Sequence, residues 1–328
     1  MNQVSFRHTI LFLGILLLTT MFFACTDSPP IVKNVNTDTF QGPQLHVVSF
    51  NMLHPGPFGA FSEFDGQADA TFNDRLAILR DEILALMPDV VILQEVSDTG
   101  PCRYGNVLFS LVDDLNNALA ATGISYNSVY SMSNGDPIGI TNFEEGNGIL
   151  SRYEILDAEK TIYQVQSWTI IRESRSALRV TLRGALGNID IVGTHLSGDV
   201  AADNVIELVE VIIPMRGNDN PIIVAGDYNS SPDFEAVQNM LGGGFTDTWD
   251  MANPGEDGFT CGRDSLTDPD AVQTKRIDYL FISDDSSVLS SELFLDEAVD
   301  IDPCPEESWL FASDHTGIYS IVVPAGYQ

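Results

Sequence analysis

Positive charge is scarce in this chain. Its 328 residues carry 15 Lys and Arg against 47 Asp and Glu, a formal net charge of -32. Such a surface keeps a protein soluble and repels polyanions and anionic membranes at long range. A broad grip on nucleic acid through basic patches is therefore disfavoured. A phosphate site is not, because a bound divalent cation reverses the local sign of the field. Cysteine is sparse as well, with four in the chain and none at metal-ligand spacing. No repeat of fixed period and no low-complexity segment is present. The apolar run Ile10–Ala24, about fifteen residues, falls short of the roughly 20 that a membrane span requires. What is abundant is apolar content, 44% of residues, enough to bury a sizeable core.

Arg7 and His8 precede that apolar run, so residues 1–24 read as an export signal. The segment resembles a bacterial lipoprotein signal with Cys25 as the acylated residue. Phe22 and Phe23 depart from the small residues such signals carry there, and ordinary cleavage nearby is the alternative. The expected location is the cell envelope, with a membrane contact through Cys25 if it is acylated, and a secreted form otherwise. Residues 25–44, with Pro29, Pro30 and Pro43, read as a flexible tether. Cys102, Cys261 and Cys304 then remain, all in loops rich in Gly, Pro or Asp. An exported chain permits a disulfide, and any two of the three can pair. They read as loop staples rather than nucleophiles.

From residue 45 onward the chain reads as one domain, with apolar strands that end on polar groups. Pro221–Ala225 is an apolar run of buried-strand character, broken by Gly226-Asp227-Tyr228-Asn229. In an extended segment Asp227 and Asn229 would point the same way; an Asx turn is the plainer alternative. Leu45–Asn51 ends on an amide, Asp89–Glu95 on a carboxylate and Ile189–His195 on an imidazole. Two further strands begin on polar groups: Asp278 opens one, and Ser313-Asp314-His315 precedes another. Helices are predicted over about 73–87, 106–121, 201–213 and 234–241 from apolar periodicity and end signals. Strands across about 154–195 alternate well enough for an antiparallel meander. In an antiparallel pair the start of one strand lies beside the end of its neighbour, so a mixed sheet system brings all these ends to one edge. A metal-dependent hydrolytic centre is the chemistry that Asn, Asp, Glu and His at such an edge suit.

The order Asn51, Glu95, Asn147 with Ser-Arg152, Thr-His195-Leu, Gly-Asp227-Tyr-Asn229, Arg-Ile-Asp278-Tyr and Ser-Asp314-His315 is similar to the endonuclease/exonuclease/phosphatase superfamily. The resemblance covers residues 45–328, the expected catalytic domain. It implies an α/β (α+β) four-layer sandwich, two packed mixed β-sheets flanked by helices. It also implies Mg²⁺, with Mn²⁺ as a substitute, held by Glu95 with Asn51 and Asp314. Asp227 and Asn229 would orient the attacking water and the phosphoryl oxygens. Asp278 would orient His315 as general base or charge stabiliser. His195 would contact the phosphoryl group or protonate the leaving oxygen, with Glu144 or Glu145 as its candidate partner. Asn147 and Arg152 would touch substrate.

The expected activity is hydrolysis of a phosphodiester or phosphomonoester by an exported enzyme, acting as a monomer with no obligate protein partner. A deoxyribonuclease I-like endonuclease acting on DNA or RNA and a sphingomyelinase-like lipid phosphodiesterase are alternatives on the same core. A binding lipoprotein that has lost the chemistry is the non-enzymatic alternative, although none of the motif residues is missing. His46 and His54 read as incidental. Arg175, Arg179 and Arg183 read as a solvated outer face rather than a phosphate stripe.

Overall fold

Two sheets, of seven and six strands, organise the computed structural model, which describes residues 28–55, 67–68, 70–98, 105–135, 144–168, 172–301 and 308–327. In chain order the strands are β1 (Ile31–Lys33), β2 (Leu45–Asn51), β3 (Val90–Asp98), β4 (Asn127–Gly135), β5 (Glu144–Ser151), β6 (Ile155–Ile162), β7 (Ser176–Leu182), β8 (Ile189–His195), β9 (Ile222–Asp227), β10 (Phe245–Asp247), β11 (Asp278–Ser283), β12 (Ser287–Phe294) and β13 (Gly317–Val323). The first sheet runs β1-β4-β5-β3-β2-β13-β12 and the second β10-β11-β9-β8-β7-β6. Helices α1 (Phe72–Leu86) and α2 (Val107–Leu119) pack on the first sheet. Helices α3 (Ala201–Glu207) and α4 (Glu235–Gly242) pack on the second.

The layering follows from which faces are apolar. Val47, Val90 and Ile92 from the first sheet meet Leu178, Val180, Ile191, Ile223 and Leu280 from the second in one buried cluster. The opposite faces carry separate clusters, Val48, Phe50, Val91 and Leu93 under α1 and α2, and Val192, Val224, Tyr279 and Phe281 under α3 and α4. Both faces of the central strands are thus buried, which is why β3 and β9 read as continuous apolar runs. Helix, sheet, sheet, helix is the four-layer sandwich expected from the sequence. At Gly193 a Cβ would stand 2.8 Å from Ile92 Cγ2, so only glycine lets the two sheets approach there.

Register brings the polar ends together. β2 and β3 run parallel, as do β8 and β9, so Asn51, Glu95, His195 and Asp227 all lie toward one edge. β11 opposes β9 with Asp278 directly across from Asp227, and β13 opposes β2 with Ile318 across from Ser49. The strand starts at Asp278 and His315 therefore join the strand ends. The predicted helices appear close to their expected limits. Asn106 caps α2 by accepting from Phe109 N–H, and α1 stops at Met87 in the left-handed region just before Pro88.

Part of the expected tether belongs to the fold. β1 pairs antiparallel with β4 and covers what would be an open edge. Asn127 Oδ1 accepts from the backbone of Val35 and Asn36, and Phe40 is 2% exposed in the inter-sheet core. The export signal, Cys25, Cys102 and Cys304 lie outside the described residues. Cys261 is described and is a free thiol, not the staple its loop setting suggested. Among the described residues no helix is long and apolar enough to cross a membrane.

Arg75 of α1 fixes the two segments that lead into and out of the polar edge. It is 1% exposed and donates to the carbonyls of Met52, Leu53, Ala68 and Ala312. Replacing it strands four acceptors, three of them in buried bonds. We expect Arg75→Met to lose about 2–4 kcal/mol in urea unfolding, with Arg80→Ala, a half-buried side chain paired with its neighbour Asp81, within about 1 kcal/mol of wild type.

Candidate active site

Asp227 Oδ2 marks the centre of the edge. It lies 3.1 Å from Asn51 Nδ2, 3.5 Å from His195 Nε2 and 3.8 Å from His315 Nε2. Its other oxygen accepts the Asn229 N–H at 2.7 Å. That bond is the Asx turn, and Asn229 lies at φ 49 rather than in the extended backbone expected from the sequence. Asn229 still turns inward, its Nδ2 donating to Leu196 O at 2.9 Å and standing 3.3 Å from His195 Nε2. Gly226 makes the approach possible: φ is +152, and a Cβ there would collide with Thr194 O.

His315 Nδ1 lies 2.9 Å from Asp278 Oδ2. The motif around it is tied from both sides. Ser313 Oγ donates to Asn51 O, Arg263 donates to Ser313 O, and Gln273 donates to Asp314 O. Burial alone would push the His315 imidazole down, but Asp278 and Asp314 outweigh it and hold its pKa well above the ordinary value. His195 goes the other way. Burial and then the Arg175 charge push it well below its ordinary value, against the pull of Glu95. Arg175 Nη1 donates to His195 Nδ1 at 2.9 Å, so the proton of the neutral ring sits on Nε2, facing Asp227. In that tautomer His195 presents an N–H donor toward the centre of the edge.

Two residues read as unimportant belong to the centre. Arg175 is 7% exposed and bridges His195, Ser197 Oγ and, at 3.6 Å, Glu145. It occupies the position beside His195 that the resemblance gave to a glutamate. His54 lies 3.6 Å from Glu95 Oε2 and 3.5 Å from Glu145 Oε2. Its only sequence signal is its place three residues after Asn51. Asn147 lines the same cleft with Glu95 and His195. Arg152 does not reach the site. It pairs with Asp89 at 3.2 Å, at the start of β3, while Glu95 sits toward the other end of that strand. Arg179 and Arg183 pair with surface acids, as a solvated face would.

The donor set suits a divalent cation. Glu95, at φ 56, is pushed up by burial yet held far below the usual carboxylate range, chiefly by His54, with Asn51 donating to it. Burial and the neighbouring Asp278 push Asp227 up to about 7. Asp278 Oδ1 and Asn147 Oδ1 are buried without a hydrogen-bond partner, acceptors that a cation or a protonated ligand would satisfy. Ligand atoms gather in two groups, His54–Glu95–Glu145 and Asp227–Asp278–His315. Asn51 stands between them, its Nδ2 donating to Glu95 and Asp227 while its oxygen accepts from Leu53 N–H. In this arrangement Asn51 orients two carboxylates. Asp314, within reach of the charges of His315 and Glu95, stays outside both groups.

The family model for the endonuclease/exonuclease/phosphatase family matches residues 48–315. The chain belongs to that family. Its members are phosphoester hydrolases. No curated protein matches the chain. Among solved structures, a family protein from Leptotrichia buccalis is 22% identical, with 85% of this chain and 99% of that one covered and a TM-score of 0.61. A mannosyl-6-phosphatase from Bacteroides thetaiotaomicron is 16% identical over 85% and 99%, TM-score 0.63. The catalytic domain of human Nocturnin, bound to sulfate, is 17% identical over 88% and 97%, TM-score 0.55. At these identities the likeness is one of fold, which agrees with the two packed sheets.

The raised Asp227 carboxyl carries a pH signature in metal-free protein. The folded state holds a proton that the unfolded chain has already lost between about pH 4 and 7, so Asp227 makes the fold less stable as pH rises through that window. Asp227→Asn removes the effect. Relative to wild type, the variant should gain on the order of a few kcal/mol between pH 4 and pH 8, read by urea unfolding in EDTA. A difference that stays flat with pH would show that Asp227 ionises normally.

Proposed function

We propose that the protein is an exported, divalent-cation-dependent phosphoesterase that hydrolyses a small phosphodiester or phosphomonoester, using Mg²⁺ or Mn²⁺. The observation that carries this reading is the convergence on Asp227 Oδ2 of His315, His195 and Asn51. When bound, the cation supplies charge neutralisation for the phosphoryl group and a lowered pKa for water. The chain's own residues do the rest. Asp227, at the centre of the edge, would accept a proton from an attacking water. His195 donates from Nε2 to a phosphoryl oxygen. His315, kept cationic by Asp278, offers its Nε2 proton to the charge that grows in the transition state. Asn229, pinned by Leu196 and Asp227, positions that oxygen beside His195.

The acidic chain favours a compact substrate over a long polyanion, since its field opposes DNA and RNA outside the immediate centre. On this reading the N-terminal segment directs export, Cys25 anchors the chain to the envelope if acylated, and the domain acts as a monomer facing the periplasm or the cell surface.

A panel of mannose 6-phosphate, inositol phosphates, nucleotides, sphingomyelin, bis-p-nitrophenyl phosphate, RNA and plasmid DNA tests the reading on the mature chain. Turnover should be highest among the small esters, vanish in EDTA and return with Mg²⁺ or Mn²⁺. His315→Ala should lower kcat by about 10²–10⁴, and Asp278→Asn should lose most of the same factor because the pair acts as one unit. Turnover that is indifferent to EDTA, or none with any divalent ion, would contradict it.

A further inference from the structure

Groups that could hold a cation extend beyond the motif that marks the family. His54 Nε2 stands 3.6 Å from Glu95 Oε2 and 3.5 Å from Glu145 Oε2, and the ligand atoms of the three residues all lie within 4.8 Å of one another. These separations are long for hydrogen bonds. They lie near the edges of a coordination polyhedron: bonds of about 2.2 Å to N and O give edges of about 3.1 Å in an octahedron and about 3.6 Å in a tetrahedron.

Each group is already oriented for that task. His54 Nδ1 lies 3.1 Å from Pro55 O, a carbonyl that can only accept. The Nδ1 proton is thereby fixed, and Nε2 faces the two carboxylates, where a dication would displace the second ring proton and take up the freed lone pair. A histidine that donates its other N–H to a backbone carbonyl is the usual arrangement of a metal ligand. Glu95 is anchored by the His54 backbone N–H at 3.1 Å and by Asn51. Glu145 turns Oε1 to Arg175 at 3.6 Å and leaves Oε2 for His54. The second acidic group is engaged otherwise, Asp278 with His315 and Asp227 with Asn229.

We propose that His54 and Glu145 complete, with Glu95, a nitrogen–oxygen–oxygen site that takes a first-row transition dication such as Mn²⁺ in preference to Mg²⁺. This rests on the reading that the centre works with a divalent cation. An imidazole nitrogen suits a transition ion, whereas Mg²⁺ demands hard oxygen donors and keeps its waters. Two carboxylates and a neutral ring supply two negative charges to a dication.

The test uses the mature chain stripped with EDTA, with Mn²⁺ alone as the probe and no substrate. Pulsed electron paramagnetic resonance should show a ¹⁴N coupling to bound Mn²⁺ in the wild type and lose it in His54→Gln, or in His54→Ala should the first variant fail to fold. Competition between the ions, followed by the Mn²⁺ signal, should show the preference for Mn²⁺ over Mg²⁺ falling at least fivefold in the same variant. A wild-type spectrum without nitrogen coupling overturns the proposal by itself. So does coupling that survives loss of His54, or a smaller fall in preference. Hydrolysis is read separately: a chain that binds Mn²⁺ through His54 yet cleaves no phosphoester removes the functional reading and leaves this site standing.

Discussion

Asp227 and Asp278 oppose each other across the antiparallel pair β9–β11, both 1% exposed. Two carboxylates so placed cannot share a dry edge unless something compensates them. Much of the edge can be understood as that compensation. His315 is held cationic against Asp278, Asn51 and the Asn229 backbone donate to Asp227, and the neutral His195 presents its Nε2 proton toward the same oxygen. What remains is an excess of acceptors around a small space. A fold built only for stability would not keep it, because apolar residues in these places would cost less. The unusual backbone at Glu95 and Asn229, each non-glycine at positive φ, belongs to the same account, since such strain clusters where the surroundings over-determine a geometry.

The two histidines show how one centre assigns different states to like side chains. His195 and His315 stand on either side of Asp227 Oδ2, yet one faces Arg175 and the other Asp278. An arginine can only donate, so it fixes the neutral tautomer of its neighbour; a carboxylate can only accept, so it holds a proton on the other. The sheet topology sets the pairing. β7 opposes β8 with Ala177 across from Thr194, and this carries Arg175 to His195 at the strand end.

That contact also explains what was legible in the sequence. Buried strands announced themselves as apolar runs closed by polar punctuation, and the polar groups stood within a residue or two of a strand end or start, except Glu95, beyond which β3 continues through a register shift to Asp98. Antiparallel pairing then required the ends and starts to meet. Arg175 was not legible, because its spacing to Arg179 and Arg183 suggested one solvated stripe while its burial depends on a strand distant in sequence. His54 lies in a segment without periodicity, so nothing local says that it turns toward Glu95. Arg152 misled for the opposite reason. It follows a motif strand closely, but β5 runs antiparallel to β3 and delivers it to the far end beside Asp89. Residues 28–44 have the composition of a tether, and only the open edge of β4 gives β1 a partner.

The central claim is that edges of two separate sheets form one catalytic unit. A double-mutant cycle across the sheets tests it most directly, pairing Glu95→Gln from the first with Asp227→Asn from the second and reading kcat/KM on the best small phosphoester. Residues that act as a unit are strongly non-additive. We predict that the double variant is no more than about tenfold slower than the slower single variant. Losses that multiply across the two sheets would contradict the account.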